Sequence, residues 1–192
     1  MRIIAGSARG RRFDAPAGMD TRPTLDRVKE SLFGILQFDI PGSSVLDLFS
    51  GSGNLGLEAA SRGAKRVICN DRSRECAEQI QKNAALLGLQ DRVKVYCLDY
   101  AACIDRLRYE GTCFDFVFLD APYADGTAAM AAEKIFSSGI LKEGGRVIVE
   151  HAKSLPPAVG SVLADMTDRR NYGACAISVY KRKKAVAPEE RD

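Results

Sequence analysis

Two short stretches of the chain carry side chains that could do chemistry together. The first, Asp47 to Gly56, reads Asp-Leu-Phe-Ser-Gly-Ser-Gly-Asn-Leu-Gly and lies between an apolar run and a helical pattern. Gly51 and Gly53 can take backbone angles closed to other residues and let a ligand approach the main chain, and Gly56 permits close packing of a helix on a strand. Strand, glycine turn and helix predict a nucleotide-binding turn, with Asp71 following Gly51 by 20 residues to bind a ribose.

The charge of Asp47 helps to identify the ligand of this turn. A carboxylate just before the glycines would repel the pyrophosphate of a dinucleotide. It suits a cationic ligand such as S-adenosylmethionine, which carries sulfonium and ammonium groups and no phosphate. The alternatives are a nicotinamide dinucleotide, or a carboxylate that only caps a helix or turn. On the first interpretation, the residues expected to hold S-adenosylmethionine are Asp47, Gly51, Gly53, Asn54, Asp71 and Asp99.

Two of these assignments have an alternative. Asp99 follows the third predicted strand, where it could accept a hydrogen bond from an adenine amine or cap the next helix. The ribose could be bound by Asp71 or by its neighbour Asn70.

The second stretch, Asp120-Ala121-Pro122-Tyr123, follows a strongly apolar predicted strand. The exocyclic amine of guanine or adenine is a poor nucleophile because its lone pair is delocalised into the ring. The Asp120 carboxylate and the Ala121 carbonyl could each accept one amino hydrogen and draw the nitrogen toward a tetrahedral geometry. Pro122 would fix the turn, and Tyr123 would stack on an unpaired or flipped base. We therefore predict that these residues form the catalytic motif, the alternative being a polar turn after a strand.

Apolar runs alternate with helical patterns along most of the chain. The predicted strands are 44–49, 65–70, 92–97, 114–119 and 146–150, and the predicted helices are 24–36, 74–87, 101–107 and 128–137. Thr24 is expected to cap the first helix, and Gly144-Gly145 to break the chain before the fifth strand. This alternation predicts an α/β fold with a doubly wound, Rossmann-like parallel sheet covered on both faces.

The two ends of the chain depart from this alternation. Residues 2–5 and 11–14 predict a small N-terminal β-hairpin. Residues 163–171 and 174–181 predict an antiparallel hairpin at one edge of a mostly parallel, seven-stranded sheet. We expect one domain over residues 1–192, with a basic hairpin and loop at 1–23, a Rossmann-like core at 24–184 and a tail at 185–192.

Composition limits the classes of function. The chain of 192 residues is 46% hydrophobic and 28% charged, as in soluble globular proteins. It has no apolar run near the roughly 20 residues that cross a bilayer, so we expect a cytoplasmic protein without a membrane partner. One histidine and six cysteines without a Cys-x-x-Cys pair argue against a metal site. Cysteines in apolar runs, such as Cys69 and Cys97, are expected to be reduced, buried thiols.

Basic residues concentrate at both ends of a chain whose net charge is +3. Residues 1–30 hold seven Lys or Arg and four acids, and residues 169–184 hold six basic residues and no acid. Such segregation favours a polyanionic partner, although Lys181 to Lys184 could equally be a solvated tail. The arginines expected to bind RNA, chiefly through phosphates, are Arg9, Arg11, Arg12, Arg22 and Arg27.

Taken together, these motifs make the chain resemble the bacterial methyltransferases that modify guanine N2 in 16S ribosomal RNA. These enzymes are a branch of the class I S-adenosylmethionine-dependent methyltransferases. The resemblance covers nearly the whole chain and rests on five groups of residues: Arg2 to Gly6 with Arg9-Gly10-Arg11, Arg22 to Thr24 with Arg27-Val28 and Ser31 to Phe33, Asp47 to Glu58, Asp120 to Tyr123, and Tyr172-Gly173.

The resemblance implies a partner and carries two departures. The partner would be ribosomal RNA or the small ribosomal subunit, and the enzyme a monomer. The family usually has two prolines where this chain has Ala121-Pro122. The family's acid after the second strand would align near Cys69, so ribose binding here falls to Asp71 or Asn70.

Three other functions compete with this interpretation. An amino-methyltransferase acting on adenine in DNA would use the same four-residue motif, but it usually needs a separate target-recognition domain. A non-catalytic RNA-binding or assembly factor would be expected to lose Asp120 or the glycines, and both are intact. A nicotinamide-dependent oxidoreductase is disfavoured by Asp47 and by the motif at Asp120.

Overall fold

The computed structural model describes residues 1–16, 23–121 and 126–183. Its helices are α1 Pro23–Leu36, α2 Asn54–Ser61, α3 Arg74–Leu87, α4 Tyr100–Tyr109 and α5 Thr127–Ser138. Its strands are β1 Ser44–Asp47, β2 Arg66–Asn70, β3 Val93–Tyr96, β4 Phe114–Leu119, β5 Leu141–Ala152, β6 Ala164–Tyr172 and β7 Cys175–Arg182. No helix within these ranges is both long and apolar enough to cross a membrane.

The strands of the described ranges form one seven-stranded sheet in the order β3-β2-β1-β4-β5-β7-β6. The first five strands pair in parallel, and β7 pairs antiparallel with both β5 and β6. The predicted α/β class, with a doubly wound, mostly parallel sheet and an antiparallel C-terminal hairpin, is confirmed. The strand order reverses between β1 and β4, and such a reversal opens a crevice at the carboxyl ends of the strands.

The two faces of the sheet pack against different helices. On one face, residues such as Val45 and Phe118 contact buried side chains of α1, α2 and α3. On the other face, residues such as Leu46 and Val117 contact buried side chains of α4 and α5. Adjacent residues of β1 therefore serve opposite cores, because successive side chains of a strand point to opposite faces. Apolar layers on both sides fix the sheet and the ends of its strands.

Two predicted boundaries in the core and N-terminal region are wrong in detail. Gly144 and Gly145 do not break the chain, because β5 runs through them from Leu141 to Ala152. They lie at an irregularity where the partners of β4 jump from Leu141 to Arg146, and Gly144 has a φ of +70°. At α1, Thr24 lies inside the helix, which begins at Pro23. Proline suits the first helical position because a backbone N–H there would have no acceptor within the helix, so the lack of an N–H in proline costs nothing.

The N-terminal segment forms the predicted hairpin over fewer residues, with an antiparallel bridge between Arg2 and Arg12 and backbone hydrogen bonds that join Met1 to Phe13 and Ile3 to Arg11. Beyond these pairs, its backbone is bonded to a buried side chain of α2. The Glu58 carboxylate accepts hydrogen bonds from the N–H groups of Ile4 (2.8 Å) and Ala5 (3.0 Å). These N–H groups therefore do not pair with another strand, and the segment, residues 1–16, is attached to the core through Glu58.

Cations compensate the buried Glu58 carboxylate. Arg62 Nε lies 2.7 Å from one of its oxygens, and Lys29 Nζ lies 3.4 Å from the other. Lys29 and Glu58 are about equally inaccessible, with side-chain exposures of 1% and 0%. A buried carboxylate is tolerated only when it is paired and hydrogen-bonded, and here both conditions hold. Sequence reasoning did not identify this cluster, whose members come from α1 and α2.

Gly6 brings the N-terminal segment into close contact with the end of α2. Its φ is +87°, and a Cβ atom at this position would lie 1.9 Å from the Ser61 carbonyl oxygen. The next residue, Ser7, donates its N–H to the same oxygen at 2.8 Å. Gly10 has a similar φ of +79°, but a Cβ atom there would meet nothing within 4 Å.

This difference predicts unequal effects of two otherwise similar substitutions. Gly10→Ala should lower the free energy of unfolding by about 1 kcal/mol, the cost of a left-handed backbone for a residue with a Cβ atom. Gly6→Ala should cost about 2 kcal/mol more, because the new methyl group overlaps the Ser61 carbonyl and displaces the segment. Urea unfolding and limited proteolysis of the N-terminus measure both effects. Equal losses for the two variants would contradict docking through Gly6.

Candidate functional site

The predicted glycine turn connects β1 to α2 at the carboxyl end of the sheet. Ser50 Oγ donates to the Asp47 carbonyl at 2.7 Å, and Gly53 N–H donates to the Ser50 carbonyl at 2.7 Å. Gly51 and Gly53 have φ values of +54° and +85°, which favour glycine. These bonds turn the chain sharply, so that α2 begins directly above the end of β1.

Gly56 allows α2 to lie unusually close to the sheet. A Cβ atom on Gly56 would lie 2.4 Å from Cys69 Sγ and 3.2 Å from Asp47 Oδ2. The close approach brings the Gly56 N–H within 2.8 Å of Asp47 Oδ2, to which it donates a hydrogen bond. The predicted role of Gly56 in helix-to-strand packing agrees with this geometry.

Asp47 is a buried acid with unused hydrogen-bonding capacity. Its exposure is 1%, and its Oδ1 has no hydrogen-bond partner among the residues that the structure describes. Burial raises the pKa of Asp47 to about 7, although the Gly56 N–H acts in the opposite direction. A cationic ligand would supply the missing partner and favour the ionised carboxylate. The site therefore fits the sulfonium or ammonium group of S-adenosylmethionine better than a phosphate.

The amide that ends β2 and the acid that follows it have separate structural roles. Asp71 is half-buried and accepts hydrogen bonds from the N–H groups of Gly51 and Ser73, both at 2.9 Å. Asn70 is buried, and its amide donates to the carbonyls of Leu48 and Leu98, both at 3.1 Å. Asn70 thus joins the chain after β1 to the chain after β3. A carboxylate accepts more than one hydrogen bond per oxygen, so Asp71 keeps capacity for a ribose hydroxyl.

Two other predicted donor-binding residues are engaged within the protein. Asp99 Oδ1 accepts a hydrogen bond from the Ala101 N–H at 2.9 Å and caps α4. Of the two alternatives for Asp99, the cap is thus formed, and its exposed carboxylate still has lone pairs for an adenine amine. Asn54 Oδ1 accepts from Lys29 Nζ at 2.9 Å, which leaves its amide hydrogens directed elsewhere.

Asp120 follows β4 directly, beside the end of β1. Asp47 pairs with Phe118 in the sheet, so Asp120 lies two residues beyond the partner of Asp47 on the same face. Burial raises the pKa of Asp120 well above its ordinary value, and the negative charges of Glu150 and Asp47 raise it further. Ala121 is 2% exposed. Pro122 and Tyr123 lie outside the described residues.

Glu150 is a site residue that sequence reasoning missed. It lies in β5, next to β4, and its charge acts on Asp120. The available signal was an acid at the end of the fifth predicted strand, since parallel strands bring their carboxyl ends to one edge.

The predicted RNA-binding arginines do not share one environment. Arg9, Arg12 and Arg27 are exposed. The Arg11 guanidinium donates to the carbonyls of Leu86 and Leu87, at the last turn of α3, so it caps that helix. Arg22 lies outside the described residues.

The cysteines and the histidine are not arranged as reactive groups. Cys69 is buried as predicted, but Cys97 is exposed because β3 ends one residue before it. His151 is buried, with Nδ1 2.8 Å from the Ala152 carbonyl and Nε2 2.9 Å from Ser178 Oγ. Within residues 1–16, 23–121 and 126–183, no three His, Cys, Asp or Glu side chains are grouped to hold a metal ion.

Asp47 should make stability depend on pH. Its pKa is 3.8 when unperturbed and about 7 in the fold, so between these values the folded chain binds more protons than the unfolded chain. The free energy of unfolding therefore falls as pH rises through this window. Asp47→Asn should remove this pH dependence. Its free energy of unfolding should exceed that of the parent by about 1 kcal/mol or more between pH 5 and pH 8.

Urea unfolding without ligand at several pH values measures this difference, and Asp91→Asn, at an exposed position, is the control. A difference between Asp47→Asn and the parent that does not change with pH would contradict the burial argument.

Comparisons with known proteins identify the family. The family model described as "Conserved hypothetical protein 95" matches residues 1–181. YlbH of Bacillus subtilis is 36% identical over 185 residues, which are 95% of this chain and 100% of YlbH. The ribosomal RNA small subunit methyltransferase D of Haemophilus influenzae is 36% identical over 160 residues, 81% of each chain.

A solved structure agrees with these sequence matches. Escherichia coli yhhF superposes with a TM-score of 0.84 at 31% identity, covering 95% of this chain and 98% of yhhF. Fold and sequence match over nearly the full length, as the resemblance noted from the motifs predicts. The chain is thus similar in sequence to YlbH and to the ribosomal RNA small subunit methyltransferase D, and it belongs to the Conserved hypothetical protein 95 family.

Proposed function

We propose that this protein transfers a methyl group from S-adenosylmethionine to the exocyclic N2 amine of a guanine in small-subunit ribosomal RNA. The observation that carries the proposal is the pair of carboxylates, buried Asp47 and half-buried Asp120, at the ends of the neighbouring strands β1 and β4. One carboxylate suits a cationic donor, and the other suits an amine that becomes cationic as it reacts. Relatives named as ribosomal RNA small subunit methyltransferases support the choice of RNA.

The donor side of the site would use the glycine turn and the acids around it. S-adenosylmethionine supplies an electrophilic methyl group on a positively charged sulfur. Asp47 would compensate positive charge on the donor, Asp71 would accept from the ribose, and Asp99 would accept from the adenine amine. Gly51 and Gly53 leave the main chain open to close approach, and the Asn54 amide can donate to the ligand.

The base side of the site would hold the amine and accept its proton. Asp120 and the Ala121 carbonyl would each accept one N2 hydrogen, while Pro122 sets the turn and Tyr123 stacks on the flipped base. A carboxylate whose pKa is raised by burial is a better proton acceptor than an exposed one. Asp120 can therefore take the proton that N2 must lose after it gains the methyl group.

Two alternative functions are weaker on this structure. Action on adenine in DNA is not supported by the relatives of Haemophilus influenzae and Escherichia coli, which are named for ribosomal RNA. A non-catalytic assembly factor would have no need of a buried Asp47 beside a half-buried Asp120, an arrangement that costs stability.

The test is methylation with labelled donor on total RNA, on small ribosomal subunits and on deproteinised small-subunit RNA, followed by mapping of the modified base. Label on guanine N2 is expected, and label on another atom would contradict the proposal. Asp120→Ala should lower turnover by at least about 100-fold and leave the donor Kd within a few fold, because its partner is the amine. Asp91→Ala, an exposed acid far from β4, is the control. Normal turnover by Asp120→Ala would show that another group holds the base.

The basic N-terminal segment should contribute to RNA affinity through Arg9 and Arg12. Their joint replacement by alanine should weaken RNA binding and reduce the slope of log K against log salt by roughly one unit for each phosphate that is no longer bound. Arg11 is left in place because its replacement would also uncap α3. The control is Arg74→Ala with Arg108→Ala, two exposed arginines on other surfaces. An unchanged slope for Arg9 and Arg12 would make the segment purely structural.

A further inference from the structure

Glu150 lies beside Asp120 at the carboxyl edge of the sheet. Leu119 of β4 pairs with Val149 of β5, and both strands run in the same direction. Asp120 and Glu150 are each the next residue, so their side chains point to the same face. This is the face of Phe118 and Ile148, which pack against α1 and α2. Neighbouring strands are about 4.8 Å apart, so the two carboxylates can reach adjacent atoms of one planar ligand.

Electrostatic effects on neighbouring groups agree with this placement. The pKa of Asp120 is raised first by burial and then by the charge of Glu150. The pKa of Cys175, at the start of β7, is raised by burial and by both carboxylates. Two half-buried carboxylates on the same face of neighbouring strands favour a ligand that donates hydrogen bonds to both.

Asp47, which is assigned above to the methyl donor, borders this pocket. It is only 1% exposed, and its Oδ1 lacks a partner among the described residues. Its charge also acts on Asp120, which places Asp47 next to the carboxylate pair. Buried polar atoms are rarely left without a partner, and those that are often mark a functional site.

The two carboxylates of Asp120 and Glu150 match the hydrogen-bond donors on one edge of guanine. Guanine presents two neighbouring donors, N1–H and the N2 amine, whereas adenine presents an amine beside an unprotonated N1 that accepts hydrogen bonds. We propose that Glu150 is a specificity residue that accepts the guanine N1–H while Asp120 accepts from N2, an inference that rests on the function proposed above. An ionised Glu150 repels the lone pair of an unprotonated N1. The site then rejects bases that offer an amine without the adjacent donor.

The experiment compares two RNAs that differ only at the mapped target position. One carries guanine, and the other carries 2-aminopurine, which keeps the N2 amine but has an unprotonated N1. The parent enzyme should prefer guanine by about 100-fold or more in kcat/KM, because the wrong base leaves a buried acceptor facing an acceptor. Glu150→Gln should reduce this preference at least about tenfold, since a glutamine amide can donate to N1.

Two further variants separate recognition from structure. Glu143→Gln makes the same change at the opposite end of β5, where the side chain is exposed, and should leave the preference unchanged. Glu150→Asp keeps the charge, so it should still reject 2-aminopurine even if its shorter reach slows guanine methylation. The fluorescence of 2-aminopurine gives a second readout, because Glu150→Gln should bind this RNA more tightly than the parent does.

The outcomes distinguish this inference from the proposed function. If Glu150→Gln slows both RNAs equally, or if Glu150→Asp accepts 2-aminopurine as well as Glu150→Gln does, Glu150 does not read N1 and the inference is wrong. The proposed function survives that result. If the parent methylates no guanine N2 in any small-subunit RNA, the proposed function itself fails. Should Glu150→Gln not fold, Glu150→Ala supplies the comparison, because it removes the acceptor and should lose the preference for guanine; an unchanged preference would overturn the inference.

Discussion

The buried carboxylate of Asp47 is the constraint on which the candidate site depends. It can lie under α2 only because Gly56 has no Cβ atom, which would otherwise overlap Cys69 Sγ at 2.4 Å. The same close approach supplies its hydrogen bond from the Gly56 N–H, and the turn between them exposes the glycine backbone. An unpaired buried charge costs free energy, so the apolar cores on both faces of the sheet must offset it. Stability elsewhere in the fold thus permits an anionic site that only a ligand completes.

The core of the fold could be predicted because its local signals agree. The bounds of α3, Arg74–Leu87, follow from a helical apolar pattern between Ser73, which caps its start, and Gly88, whose φ is +71° at its end. The strand Phe114–Leu119 is a short apolar run between polar residues. The break predicted at Gly144-Gly145 is wrong because glycine occurs both at chain breaks and at irregularities within strands, and local sequence does not distinguish the two. The pairing of β5 with β4 determines that these glycines lie within a strand.

The attachment of the N-terminal segment to the core and the details of the site could not be predicted for a related reason. The amides of Ile4 and Ala5 bond to Glu58, more than 50 residues away in the chain. The sequence suggests an RNA contact for Arg11 because exposed arginines usually interact with solvent or ligands, yet its guanidinium caps α3. Asp47, Asp71 and Asp120 could be placed because Asp47 ends β1 and the other two directly follow β2 and β4. Glu150 depends on which strand neighbours β4, and that order is a property of the whole sheet.

The N-terminal segment is anchored to two of the helices that surround the glycine turn, α2 and α3. Lys29 Nζ donates both to the Arg2 carbonyl at 2.6 Å and to Asn54 Oδ1 at 2.9 Å, so one ammonium group joins the segment to the first residue of α2. Arg11 joins the same segment to the last turn of α3, whose first turn lies beside Asp71. Any ligand that moves the segment must therefore act on the helices that frame the glycine turn. If such a ligand changes the affinity for the methyl donor by some factor, the donor must change the affinity for that ligand by the same factor.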